Sequence, residues 1–201
     1  MKIYCASGNA GKLREFRLAG ELLGIDIEPL PGIQSLEAPE ETGTTFEENA
    51  CLKAVYYSRF AAGPLFADDS GLEVDAVDGE PGVYSARYAG QHATDEANNG
   101  LLLERLADKS DRKGRFVCVI ALAEAGVIRA TFRGTVEGEI LREASGPRGF
   151  GYDPLFFYPP FEASFGEVDD ASKFSVSHRG NALRLLLASL KGSADLPAIV
   201  E

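Results

Sequence analysis

The chain has 201 residues, 45% of them hydrophobic, enough to bury a substantial core as one domain or as two lobes sharing a sheet. Its 20 basic and 31 acidic residues give a net charge of −11, which argues against binding along a nucleic-acid backbone yet leaves room for a pocket where a few cations meet a small polyanion. No apolar run approaches the roughly 18 residues of a membrane span, and a strand beginning at Lys2 leaves no room for a secretory signal, so a cytoplasmic protein with no membrane or nucleic-acid partner is expected.

Residues 2–6 read as a buried strand, and Leu13, Phe16, Ala19, Leu22 and Leu23 mark one face of the helix that follows. Between them lies Ser7-Gly8-Asn9-Ala10-Gly11-Lys12, which invites comparison with a phosphate loop. A Walker loop needs a glycine five residues before its Gly-Lys pair and a Ser or Thr after it; here those positions hold Ala6 and Leu13. The motif fails twice, but a tight strand-to-helix turn still presents free amides and the positive end of the helix dipole to an anion.

A Pro/Glu-rich stretch, residues 28–43, leads to a helix whose start is marked by Thr45 and Glu48 as a capping box and which runs to about residue 61. Phe46, Ala50, Ala54 and Tyr57 form its buried stripe, with Asn49 and Lys53 along the margin. Leu65-Phe66-Ala67 reads as a short strand that stops at Asp68-Asp69-Ser70-Gly71 and resumes with the alternation of Leu72, Val74 and Ala76. A helix follows over residues 94–107, then strands near 116–123 and 127–135 joined across Glu124-Ala125-Gly126, and another near 136–141. A glycine-rich loop at 146–153, a strand from Leu155 and a last helix after Ser177, with Leu183, Leu186, Leu187 and Leu190 inward, complete the chain. Strands and helices intermix and the hairpins exclude a purely parallel sheet, so the expected class is a mixed-sheet α/β fold.

Three places carry chemistry. Adjacent carboxylates at Asp68 and Asp69 either raise one another's pKa or are held ionised by a cation, and a hard divalent ion needs such oxygens; the competing reading is a solvated turn. Glu40 and Glu41 are a second acidic pair that can add a metal ligand. Lys173, His178 and Arg179 gather at the start of the last helix, against its dipole, which makes sense when an anion or a base edge lies between them and the helix, the alternative being plain surface basicity. Phe150, Gly151, Tyr152 and Asp153 offer an aromatic platform and an acid beside a flexible backbone, suited to a purine or simply to a core cluster at a turn. Cys5, Cys51 and Cys118 are odd in number, lie in apolar segments and lack metal spacing, and so read as reduced core residues.

Together the stretches SGNAGK, FEENACLKA, ADDSGLEVDAVDGEPGVYSARYAG, GFGYDPLFF and KFSVSHRGNAL resemble, in the same order, the inosine triphosphate pyrophosphatase family, also called Ham1 or RdgB-type noncanonical purine NTP pyrophosphatases. The resemblance covers nearly the whole chain. It implies an elongated mixed sheet flanked by helices, a single domain of two lobes with a nucleotide cleft between them, a homodimer, Mg2+ dependence, and hydrolysis of ITP, XTP and their deoxy forms to the monophosphate and pyrophosphate. By the same resemblance Asp69 is general base and metal contact, Glu40 the second metal ligand with Glu41 as near alternative, and Ser70 lies beside the substrate. Ser7, Gly8, Asn9, Ala10, Gly11 and Lys12 form the phosphate-binding turn, joined by Lys53, while Phe150, Gly151, Tyr152, Asp153, Lys173, His178 and Arg179 hold the base. Phe174, where the family has a small or polar residue, and the variable segment 159–167 depart from the pattern.

The nearest rival is a Maf-like pyrophosphatase for other modified nucleotides, which shares the fold and needs a different base pocket. An aspartyl-phosphate phosphatase wants its nucleophile after the first strand, where this chain has Ala6-Ser7-Gly8-Asn9. A noncatalytic nucleotide-binding regulator predicts binding without pyrophosphate release.

Overall fold

The computed structural model describes residues 2–190; the side chain of Leu23, assigned above to a buried helix face, lies outside the described residues. The chain runs β1 (Lys2–Cys5), α1 (Ala10–Leu23), β2 (Asp26–Pro29), α2 (Phe46–Tyr57), β3 (Leu65–Val74), α3 (Asp95–Arg105), β4 (Lys113–Glu124), β5 (Val127–Ile140), β6 (Phe156–Tyr158), β7 (Ala163–Ser164), α4 (Asp170–Val176) and α5 (His178–Leu190). One seven-stranded sheet holds them in the order β2-β1-β3-β4-β5-β6-β7. β1 pairs in parallel with β2 and β3 and every other pairing is antiparallel, which is the mixed α/β architecture expected.

Local chemistry sets the ends of these elements. Asn9 caps α1 by accepting the Lys12 N–H on its side chain, and Thr45 and Glu48 form the capping box of α2. Ala125 and Gly126 both take positive φ, as a two-residue hairpin between long twisted strands requires.

Five expectations need correction. β3 does not stop at the aspartates: it pairs with β4 without interruption from Leu65 to Val74, because lysines and an arginine satisfy the buried carboxylates. β5 is one strand, Val127–Ile140, where two were expected. Leu155 closes a 3-10 turn, and the strand starts at Phe156. Leu22 is 60% exposed, so the apolar stripe of α1 ends at Ala19. Lys173 does not stand at the start of the last helix but in the final turn of α4, a separate short helix capped by Asp169.

Alternation along β3 assigns its residues to two faces. Phe66 packs with Phe16 of α1 and Leu183 of α5, whereas Leu65 and Ala67 pack with Ala50 and Ala54 of α2. Asp68 therefore belongs to the α1/α5 face and Asp69 to the α2 face. β1 pairs with β3 only through Tyr4↔Leu65 and Cys5↔Phe66, followed by the bond from Ala6 N–H to the Phe66 carbonyl. Beyond that point β3 continues along β4 with its other edge uncovered by any strand among the described residues. Because the Phe66 carbonyl and the Leu72 N–H both face this edge, the intervening Asp68 and Ser70 turn their backbones to it as well.

Candidate active site

A cleft of about 380 Å³ opens along this free edge, a size typical of small-molecule sites. Its walls are the β1–α1 turn, the aspartates of β3, Lys53 and Glu41, the 3-10 turn Gly82–Arg87, the loop around Phe150, and the α4–α5 junction.

The two aspartates differ sharply. Asp68 is 3% exposed, and although burial alone would raise its pKa, Lys12, Arg179 and Lys53 hold it at about 2. Lys12 Nζ lies 2.8 Å from its Oδ2, and the Ser70 hydroxyl donates to the same oxygen at 3.1 Å. Asp69 has its pKa raised, burial being the main cause and Lys53 only a partial offset. Its Oδ1 accepts from Lys53 Nζ at 2.8 Å and its Oδ2 from Asn49 Nδ2 at 3.4 Å. The two neighbouring carboxylates are thus driven in opposite directions, Asp68 held as an anion and Asp69 made more basic than an ordinary aspartate.

At the other end of the cleft, Lys173 and Arg179 are buried against Glu15 of α1. Lys173 Nζ donates at 2.6 Å to both Glu15 Oε1 and Asp153 Oδ2, and Arg179 donates to Glu15 and, at 3.0 Å, to Ser70 Oγ. Glu15, despite its burial, is held below the ordinary carboxylate range by Arg179 and Lys173. Much of the negative charge that balances these cations is the protein's own: Glu15, Asp153 and Asp68. Sequence reasoning passed over Glu15, although Lys12, Glu15, Phe16 and Ala19 share one helical stripe and a carboxylate on an apolar stripe is itself a signal.

His178 is 3% exposed and stacked on Phe116 at 4.8 Å, and its pKa falls well below the usual histidine value through burial and the nearby Arg179, Lys173 and Lys12. The ring is neutral. Its Nδ1 is buried without a partner, so the tautomer protonated on Nε2 avoids an orphaned N–H. Phe150 lies over both cations, with Lys173 Nζ at 4.9 Å and the Arg179 guanidinium at 5.5 Å from its ring centre.

The profile of the Ham1 family matches residues 3–189. The chain is 51% identical over 201 aligned positions to a dITP/XTP pyrophosphatase of Acidobacterium capsulatum, the alignment covering 96% of this chain and 99% of that one. Among solved structures, the Staphylococcus aureus Ham1 protein is 42% identical with a TM-score of 0.84, covering 96% of this chain and 99% of its own. A HAM1 protein of Coxiella burnetii gives 42% identity and a TM-score of 0.85 over 96% and 100% of the two chains. This chain belongs to the Ham1 family.

In this Ham1 protein Ser7, Gly8, Asn9 and Lys12 line the cleft, whereas Ala10 and Gly11 do not. Gly11 backs the Phe150 ring so closely that a Cβ there would lie 2.7 Å from it. Lys53, Asp69, Ser70, Phe150, Gly151, Tyr152, Asp153, Lys173, His178 and Arg179 all reach the cleft. Two of these are engaged elsewhere: Tyr152 donates its hydroxyl to the Ser85 carbonyl, and Asp153 holds Lys173 and the Phe150 N–H. Glu40 is exposed and stands outside the cleft, while Glu41 lines it and contacts Lys53 at 2.7 Å. Of the acidic pair, then, the structure brings Glu41 and not Glu40 to the cleft. Sequence reasoning also missed Asp95 and Asn99, which grip Gly151 at N–H and carbonyl, and Asn98, which bonds Ala86 and Ala89.

The Mg2+ implied by the resemblance can be tested against the donor set. Among the described residues no three His, Cys, Asp or Glu side chains gather into a metal-holding group. Glu41 and Asp69 nevertheless converge on one cation, the Lys53 ammonium, which stands in for a metal between two hard oxygens. The pair fits a divalent ion that draws its other ligands from elsewhere.

Proposed function

We propose that this Ham1 protein hydrolyses inosine and xanthosine triphosphates and their deoxy forms to the monophosphate and pyrophosphate, removing them from the nucleotide pool. The observation that carries this reading is the cleft itself, which joins a carboxylate of raised pKa on one sheet face to a buried cation and aromatic cluster on the other. Its relatives named dITP/XTP pyrophosphatase align over nearly their full length.

In this reading Asp69 accepts the proton of the attacking water, and its raised pKa gives it useful basicity. The β1–α1 turn and Lys12 bind phosphate, and Lys53 takes charge developing on pyrophosphate. Glu41 and Asp69 would hold Mg2+, which when bound neutralises phosphate charge and acidifies water. The base lies against Phe150, where His178 Nε2–H and the Lys173–Arg179 pair offer donors to a 6-oxo group; adenine's amino group would meet donors and leave them unpaired. The protein acts as a cytoplasmic homodimer. No helix among the described residues is long and apolar enough to cross a membrane.

Pyrophosphate release measured over ITP, dITP, XTP, ATP and the four standard dNTPs, with and without Mg2+, tests the proposal. ITP and XTP are expected to exceed ATP by about 10²-fold in kcat/KM. Comparable rates on all purines, or binding without pyrophosphate release, refute it. Light scattering at graded concentrations tests the dimer.

A further inference from the structure

The position of Lys53 carries more than phosphate binding. Its Nζ sits 2.8 Å from Asp69 Oδ1 and 2.7 Å from Glu41 Oε1, on a side chain only 13% exposed. The carboxylates are held from behind. Asn49, one turn earlier on α2, donates to the other oxygen of Asp69, and Arg87 reaches the other oxygen of Glu41 at 3.4 Å. The two hard oxygens are therefore already satisfied by a resident monovalent cation.

A divalent ion meets two obstacles here. Mg2+ requires about six oxygens in near-octahedral arrangement and sheds its waters reluctantly, whereas the protein offers a pair of carboxylates and no third acidic, His or Cys ligand among the described residues. It must also share those carboxylates with an ammonium of like charge at hydrogen-bond distance. Both obstacles vanish together if the triphosphate arrives with the metal: phosphate oxygens complete the coordination, and they give the displaced ammonium three new acceptors.

We propose that Lys53 is an exchangeable counter-ion that closes the Glu41–Asp69 pair to free divalent cations, so that metal enters only with nucleotide as Lys53 moves from the carboxylates to the phosphates. This deepens the reading of Glu41 and Asp69 as the metal-holding pair and rests on it. Lys53 then couples two ligands, each binding poorly without the other, and reciprocity requires the same factor in both directions. It also keeps a general base from being captured by metal when there is nothing to hydrolyse.

Mn2+ is the probe, its free concentration followed by electron paramagnetic resonance in titrations of the full-length protein, with and without ITP carrying an α,β-imido bridge. Wild type is expected to bind Mn2+ weakly alone and strongly with the analogue. Lys53→Met should bind Mn2+ alone at least about tenfold more tightly, and the coupling between metal and analogue should shrink by a similar factor. Lys53→Gln, which keeps a polar group against the carboxylates, provides the same comparison if the methionine variant fails to fold, and Lys53→Met/Glu41→Gln should lose the gain. Unchanged or weaker Mn2+ binding in the Lys53 variants, with the ternary complex of wild type intact, overturns the counter-ion role alone. Absence of Mn2+ binding to wild type even with the analogue overturns the metal reading itself and this inference with it.

Discussion

His178 turns burial into a pH dependence of stability. In the unfolded chain its ring has an ordinary pKa of about 6.5, whereas in the fold it is 3% exposed, stacked on Phe116 and close to Arg179, Lys173 and Lys12, which keeps it neutral. As pH falls through the unfolded value, the unfolded state takes up a proton that the native state refuses, so stability is lost on acidification. Each pH unit below that value at which the native ring stays neutral is worth about 1.4 kcal/mol, so the unfolded ring's own titration caps the effect at about 2 kcal/mol by pH 5. Asp69 and Asp153, whose pKa values burial raises, contribute in the opposite sense where they titrate. The clean observable is therefore a difference. Urea unfolding of wild type and His178→Gln at pH 7 and pH 5, with m-values checked for constancy, should show the wild type losing more than the variant, by up to about 2 kcal/mol. Parallel losses would mean that the native ring protonates freely and that the surrounding cations do not exclude the proton.

Asp69→Asn should lower kcat by about 10²-fold or more, because it removes the proton acceptor and keeps the shape; turnover within a few-fold of wild type in a pyrophosphate-release assay refutes that role. Glu15→Ala leaves Lys173 and Arg179 buried without their shared anion and should cost about 3–5 kcal/mol in urea unfolding, the scale for breaking one side of a buried charge cluster. Loss below about 1 kcal/mol would show that Asp68 and Asp153 suffice as counter-charges. Gly11→Ala places a methyl within 2.7 Å of the Phe150 ring, a movable side chain, so KM for ITP should rise several-fold with little change in Tm; an unchanged KM would detach the ring from base binding.

Much of the scaffold was legible because its signals are local. The Thr45–Glu48 box, the continuous apolar run of β4 and the positive-φ pair at Ala125-Gly126 act within a few residues and survive in any context. The path of β3 was not legible, because two adjacent aspartates read as a turn until Lys12 and Lys53, distant in sequence, are known to meet them. The choice between Glu40 and Glu41 likewise depends on which carboxylate points at Lys53, a matter of loop conformation that residue type does not encode. Lys173 was credited to the wrong helix because the Ser177 break between α4 and α5 spans a single residue. Glu15 was the one avoidable omission, since its position on the α1 stripe was readable from helical period alone.

The continuity of β3 gives the site an unusual dependence on strand alignment. Because consecutive residues face opposite sides of the sheet, slipping β3 by one position would send Asp68 toward Lys53 and Asp69 toward the Glu15 cluster, exchanging the fixed anion for the proton acceptor while leaving both aspartates in the cleft. Such a misfolded species could be compact and still inert. The ten-residue ladder between β3 and β4, running from Leu65↔Ala123 to Val74↔Gly114, is thus more than support for the core. It is a proofreading element for the fold, and lesions far from the chemistry, at either end of that ladder, should surface as inactive but soluble protein.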